Sequence, residues 1–216
     1  FKKNLKKNVK FSFNTEIQKI NLNNTLILKK NKIQKTSQKY DFIIDCSYTY
    51  QNDFKRNLGI SIKKKVFQKT LILEIEFKDC PDIGIAVMDG KFLSFLPKGK
   101  SKKLFLLYDV SYSVLKRKLS FLYPKNFSTK IEIKKLNDAK KNIIKKLKFF
   151  FPEMKIKKFV SYRISDRVLE LNRSDRRLTN LKFYNNSIFF VNQGKTDHCI
   201  EVADNIFKEI KRLNVR

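Results

Sequence analysis

The chain has 216 residues, 42% of them hydrophobic with 20 Phe, which allows one domain or two small ones and excludes a disordered polymer. Its 49 basic residues outnumber its 20 acidic ones, for a net charge of +29. No apolar run is long enough to cross a membrane as a helix, and no signal-peptide pattern stands out.

That charge suits a polyanionic partner, either nucleic acid or an anionic membrane. Lys exceeds Arg by 40 to 9, however, and the lysines run along the whole chain beside many Asn, Ile and Phe. This reads as a compositional habit, and no specific nucleic-acid partner is expected. Cys46, Cys80 and Cys199 are too few and too far apart for a disulfide framework, and His198 is the one histidine. No zinc site is expected, and a reducing compartment, the cytoplasm, fits best. The chain opens at Phe1 and reads as a fragment or a processed chain.

Taken in order, residues 9–20 read as a strand, a turn and a second short strand, and Thr25–Lys29 as another, with Asn21–Asn24 turning between them. Residues 31–39 read as a loop or an edge hairpin. In Tyr40–Cys46 the apolar run Phe42-Ile43-Ile44 lies between two aspartates, the pattern of a buried parallel strand. Ser47–Gln51 follows as a loop, at the kind of strand end where α/β proteins place ligands.

Phe67–Phe77 is a long strand. Met88-Asp89-Gly90-Lys91 between apolar runs is a hairpin signal, with Phe92–Pro97 on its far side. Leu104–Asp109 and Thr129–Lys135 complete a mainly antiparallel sheet of four or five strands. Asp138 caps a helix running to about Phe150, with Ala139, Ile143, Ile144, Leu147 and Phe150 as its apolar stripe and Pro152 as its stop. Lys155–Ser165 returns as a strand.

Residues 166–182 read as polar and irregular. Arg163, Arg167, Arg173, Arg176 and Arg177 gather there, and such forked cations suit a carboxylate or phosphate. The plainer alternative is a solvated loop whose arginines pair with Asp166, Glu170 and Asp175. Ser187–Asn192 is the last strand. The turn Gln193-Gly194-Lys195-Thr196-Asp197 joins it to a helix with the stripe Ile200, Ala203, Ile206, Phe207, Ile210 and Leu213. A glycine at a helix start exposes backbone N–H groups to an anion or an electron-rich cofactor edge. The spaced glycines of a P-loop are absent, and His198 reads as a neutral packing or hydrogen-bonding residue, not a general base. No catalytic triad is present, so any enzymatic chemistry would come from a bound cofactor.

The order of these elements resembles the FAD-dependent oxidoreductases of the D-amino-acid-oxidase type, from about residue 9 to residue 211. Val9–Ile20, Tyr40–Ser47, Asp89–Pro97, Tyr108–Ser113, Tyr162–Arg177 and Gln193–Asp197 carry the likeness. The resemblance implies an α+β or α/β fold, with an antiparallel substrate-domain sheet and flanking helix inserted in part of a nucleotide domain. Residues 1–62 and 166–216 would belong to the FAD-binding domain, and 63–165 to the substrate domain. FAD would be contacted by Cys46, Ser47 and Tyr48, where relatives end the segment in Gly, and by Gly194, Lys195, Thr196 and Asp197. A small amine- or hydroxy-bearing substrate would pass a hydride to the flavin, with Arg163 or Arg177 on its carboxylate and Tyr162 or Tyr112 orienting the donor group. None of the five glycines, at 59, 84, 90, 99 and 194, forms a dinucleotide fingerprint, which is expected upstream of Phe1. Two other readings remain open. One is a non-catalytic basic protein that binds nucleic acid, and the other is a cofactor-less remnant of the same fold. The oligomeric state is not legible.

Overall fold

The computed structural model describes residues 9–31, 33–87, 92–99, 103–127, 131–171, 179–192 and 198–214. They form two compact units, one of Phe1–Lys63 with Arg176–Arg216, the other of Lys64–Asp175. The fold is mixed α/β with mainly antiparallel sheets. The Asp89-Gly90 hairpin signal, Arg173, Arg176 and Arg177, and the Gly194–Asp197 turn lie outside the described residues.

In the first unit, β1 (Thr15–Ile20), β2 (Thr25–Lys30) and β3 (Gln34–Lys39) make an antiparallel meander. The segment read as a loop or edge hairpin is thus a full strand at its C-terminal half. The second sheet has the order β11 (Asn180–Tyr184), β12 (Ile188–Asn192), β4 (Ile43–Asp45). β12 pairs antiparallel with β11 and parallel with β4, with Phe190 opposite Asp45. β12 is buried on both sides because its residues alternate between two apolar clusters. Ile188 and Phe190 join Ile43, Phe54 and Leu58, the last two contributed by α1 (Gln51–Asn57) and its end. Phe189 and Val191 join Val202 and Ile206 of α3 (Cys199–Asn214). β4 is buried at Ile43 and Asp45, whereas Ile44 is 46% exposed at the sheet edge.

Residues 47–51 form not a loop but a helical turn at Tyr48–Tyr50 that runs directly into α1. The side chain of Gln51 anchors it, its Nε2 donating to the Val191 carbonyl at 3.1 Å.

The second unit is built on β5 (Lys65–Phe77), a strand of 13 residues. β10 (Ile156–Glu170) pairs along its whole length on one edge. The other edge is shared by β9 (Val114–Ser120) and β8 (Leu104–Asp109). β7 (Leu93–Pro97) and the short β6 (Ile85–Ala86) continue the sheet beyond β8. α2 (Ile133–Phe150) covers one face with Ala139, Ile143 and Leu147. Against it pack Leu71, Leu73, Ile75 and Phe77 of β5, Leu93 and Phe95 of β7, and Phe105 and Leu107 of β8.

Three expectations are corrected here. Of the expected strand Thr129–Lys135, the described residues 131–135 form no strand, since the helix begins at Ile133. The alternation of Ile131 and Ile133 mimics a strand, but Leu136 packs on the core and extends the helical stripe back one turn. β10 does not stop at Ser165. It continues to Glu170 because Asp166 and Glu170 find buried lysines across the strand pair. Lys69 Nζ lies 2.6 Å from Asp166 and Lys65 Nζ 3.3 Å from Glu170. Those acids therefore pair with lysines of β5. β9 is an additional strand with no counterpart among the expected elements.

Leu107 is fully buried in the sheet–helix core. Leu107→Ala should lower the urea-unfolding free energy of this unit by about 2–5 kcal/mol. A change below about 1 kcal/mol would show that the core collapses around the missing side chain.

Candidate functional site

Residues directly opposite in an antiparallel pair share a face, and neighbours along a strand alternate. The register of β5, β8 and β10 therefore sorts every side chain of the second unit. Leu71, Leu73 and Ile75 face α2, so Gln68, Thr70, Ile72 and Glu74 face away. Their partners on β10 are Arg167, Ser165, Arg163 and Ser161. Leu106 lies opposite Glu74 on β8, and Tyr108 stands two residues further on the same face. The result is a polar surface carrying two arginines on one strand.

The two arginines are held differently. Arg163 Nε donates to Glu74 Oε1 at 2.5 Å. Glu74 Oε2 accepts from Lys98 Nζ at 2.6 Å and from Ser161 Oγ at 2.7 Å. Hydrogen bonds from Lys98 and Ser161 hold the Glu74 carboxyl at about 2, burial opposes them, and Arg163 adds to them. Glu74 thus absorbs the charge of Arg163. Arg167 donates from Nε to Gln68 Oε1 at 2.7 Å and from Nη1 to the Tyr108 hydroxyl at 2.9 Å. Both acceptors are neutral, and no acid pairs with Arg167 among the described residues. A half-buried guanidinium with its fork fixed and its charge uncompensated is chemically suited to an incoming anion.

Alternation separates the expected site residues. Tyr162 lies opposite Leu73, so it belongs to the α2 side and not to the face of Arg163. Tyr112 sits in the turn after β8, where its backbone N donates to Asp109 Oδ1 at 2.9 Å. Its ring has the Lys146 ammonium of α2 at 6.0 Å from its centroid. The structure therefore brings neither tyrosine to Arg163. It brings Tyr108 and Gln68 to Arg167 instead. The signal available in the sequence was the four-residue spacing of Arg163 and Arg167, which places both on one face of a strand.

In the first unit, Cys46, Ser47 and Tyr48 leave the carboxyl end of β4. β12 runs parallel to it and ends at Asn192 on the same edge. Asp45 is buried, and its Oδ1 accepts from the Ser47 backbone N at 2.8 Å, which folds the chain sharply across the strand end. Tyr48 has a φ of 55°, in the left-handed region that glycine enters without strain. A tyrosine holds this backbone shape at a steric cost. Ser47 Oγ and Asp53 Oδ2 are buried with no hydrogen-bond partner among the described residues. Desolvation, and then the Asp45 carboxylate, push the Cys46 thiol up from its ordinary value, which disfavours the thiolate. A buried hydroxyl with no partner among the described residues, at the carboxyl end of a parallel strand pair, suits contact with a polar ligand. His198, next to α3, exchanges a hydrogen bond of 2.7 Å with Thr179 Oγ1.

No family model matches the chain, and no curated protein matches it in sequence. Solved oxidase structures share its fold. An iminodiacetate oxidase from Chelativorans sp. BNC1 superposes with a TM-score of 0.53 at 10% identity, over 83% of this chain and 42% of that one. A glycine oxidase from Geobacillus kaustophilus gives a TM-score of 0.54 at 10% identity, over 85% of this chain and 44% of that one. The chain thus has the fold of part of these oxidases and spans less than half the length of either.

The Glu74 carboxyl, lowered from 4.5, adds stability that is complete above pH 4.5 and is lost as the pH falls towards 2. Glu74→Gln removes that contribution. The difference in urea midpoint between the parent chain and the variant should narrow as the pH drops through this window, and a constant difference would contradict the assignment.

Proposed function

We propose that this chain is the substrate-binding part of a flavin-dependent oxidoreductase that oxidises a small amine- or hydroxy-bearing carboxylate. The observation that carries the reading is Arg167, fixed by Gln68 and Tyr108 with no acid paired to it among the described residues. The fold shared with two oxidases supports the same reading. The names of those proteins specify iminodiacetate and glycine, both of them amine-bearing carboxylates.

In this proposal Arg167 holds the substrate carboxylate through its fork, and the Tyr108 hydroxyl fixes the orientation of that fork. Arg163 and Lys98, both anchored on Glu74, line the approach and favour an anion over a cation. Arg177 remains a second candidate for the carboxylate, and Tyr162 and Tyr112 remain candidates for the donor group only if they act away from this face. Cys46, Ser47 and Tyr48 would contact FAD from the first unit, with Ser47 Oγ as a donor, and Gly194, Lys195, Thr196 and Asp197 would do so after β12. When bound, FAD would supply the hydride acceptor. Residues 63–165 would act as the substrate domain and the flanking segments as part of the nucleotide domain. Three free thiols, Cys46, Cys80 and Cys199, suit a reducing cytoplasm.

The test is the visible spectrum of the purified full-length protein, followed by perturbation of the flavin bands with a panel of small carboxylates. Arg167→Met should weaken carboxylate binding about 30- to 100-fold, the loss of a charge-assisted pair of hydrogen bonds. Arg163→Met should weaken it much less. A colourless protein that takes up no FAD would overturn the flavin reading, and an unchanged affinity in Arg167→Met would overturn the anchor.

A further inference from the structure

The C-terminal end of α2 presents a feature that the oxidase reading does not use. Seven of its 18 residues are lysine, about twice the frequency in the whole chain, and Asp138 is its one acid. Three or four residues per turn place Lys134, Lys141, Lys145 and Lys148 on one stripe opposite the buried line of Ala139, Ile143 and Leu147. All four are exposed, and no ion pair engages them among the described residues.

An aromatic ladder stands at the end of that stripe. Phe149 is 79% exposed. Its ring meets Phe150 at 5.3 Å, Phe150 meets Phe151 at 6.4 Å, and Phe151 packs edge-on against Phe95 of the core at 5.3 Å. The protruding phenyl is thus braced from the sheet core outwards and not free to fold back. Lys155 and Lys158 lie exposed just beyond, after the Pro152 turn.

We propose that this end of α2 docks the protein on an anionic lipid bilayer surface, with the lysine stripe over the headgroups and Phe149 inserted at the acyl boundary. Charge complementarity selects a polyanion, and the chemistry of the patch selects a bilayer among polyanions. A nucleic-acid surface is usually rich in arginine, and here the cations are all lysine. Long lysine stems flanking an apolar side chain are the arrangement that sits at a membrane interface, with ammonium groups in the headgroup layer and the ring below. α2 is not long and apolar enough to cross the membrane, so the contact is peripheral.

The chain contains no Trp, so Phe149→Trp makes a single reporter at the proposed insertion point. The full chain is mixed with vesicles of phosphatidylcholine alone, and with vesicles containing phosphatidylserine. The expected result is a blue shift and quenching by brominated acyl chains on the anionic vesicles only, both weakening as salt rises. Replacing Lys141, Lys145 and Lys148 together by Gln, with the fold checked by circular dichroism, should lower vesicle affinity about a hundredfold, and Phe149→Ser about tenfold. Binding to anionic vesicles without a blue shift would overturn the proposal, as would affinity indifferent to the three lysines. Tighter binding to duplex DNA than to the vesicles, unaffected by Phe149→Ser, would assign the surface to nucleic acid instead.

Discussion

The pairing of β5 with β10 is the constraint on which the second unit depends. The two strands match from Lys65 opposite Glu170 to Phe77 opposite Ile156. A strand has a side-chain period of two, so a slip of one residue would turn Leu71, Leu73 and Ile75 away from α2 and set Glu74 against the helix in their place. The register is held from both sides of the sheet. Apolar packing on α2 fixes one face. On the other, Glu74 takes Ser161 and Arg163, Gln68 takes Arg167, and Thr70 meets Ser165 at 2.9 Å. The chemistry of the candidate site and the stability of the sheet are therefore the same set of contacts. The carboxylate that neutralises Arg163 has no counterpart beside Arg167 among the described residues.

Legibility of the sequence followed the clarity of its periodicity. The helical spacing of Ile200, Ala203, Ile206, Phe207, Ile210 and Leu213 announces α3, but its buried line runs through Val202 and Ile206 while Ile200 and Phe207 are exposed. The long strands β5, β7 and β8 are plain in the chain. β9 hid because Lys116-Arg117-Lys118 interrupts any apolar alternation, and its place is secured by pairing with β5, not by its own composition. The extension of β10 hid because Asp166 and Glu170 have the polarity of a loop. Their partners Lys65 and Lys69 are distant in sequence, and each lysine is buried only by virtue of the pair. Lys69 also hydrogen-bonds Tyr123 at 3.1 Å, and Tyr123 donates to Asp166 at 2.8 Å, closing a triangle that no local pattern reveals.

The candidate site was legible in kind and not in detail. An arginine cluster near the end of β10 was visible, but Tyr162 and Arg163, adjacent in sequence, face opposite sides of the sheet. Which arginine remains available depends on Glu74, nearly ninety residues earlier. At the other candidate contact, Tyr48 hides a glycine-like backbone behind an aromatic side chain. The same substitution of means recurs through the first unit, where Asn14, Asn24, Asn31, Asn185 and Asn186 take positive φ at its turns. Asparagine tolerates that region better than other side chains, and so stands in where glycine is scarce.

The long β5–β10 ladder also sets a problem of timing. Residues 78–155 lie between the two strands, so β5 leaves the ribosome well before its long partner exists. During that interval one whole edge of its backbone is unpaired and its apolar side has no helix α2 to cover it. Lys65, Lys69, Glu74 and Glu76 interrupt the strand with charge on both faces, the kind of interruption that discourages a lone strand from pairing with its copies. The buried ions of the finished sheet thus have an earlier use, in keeping the nascent chain single until its own β10 arrives.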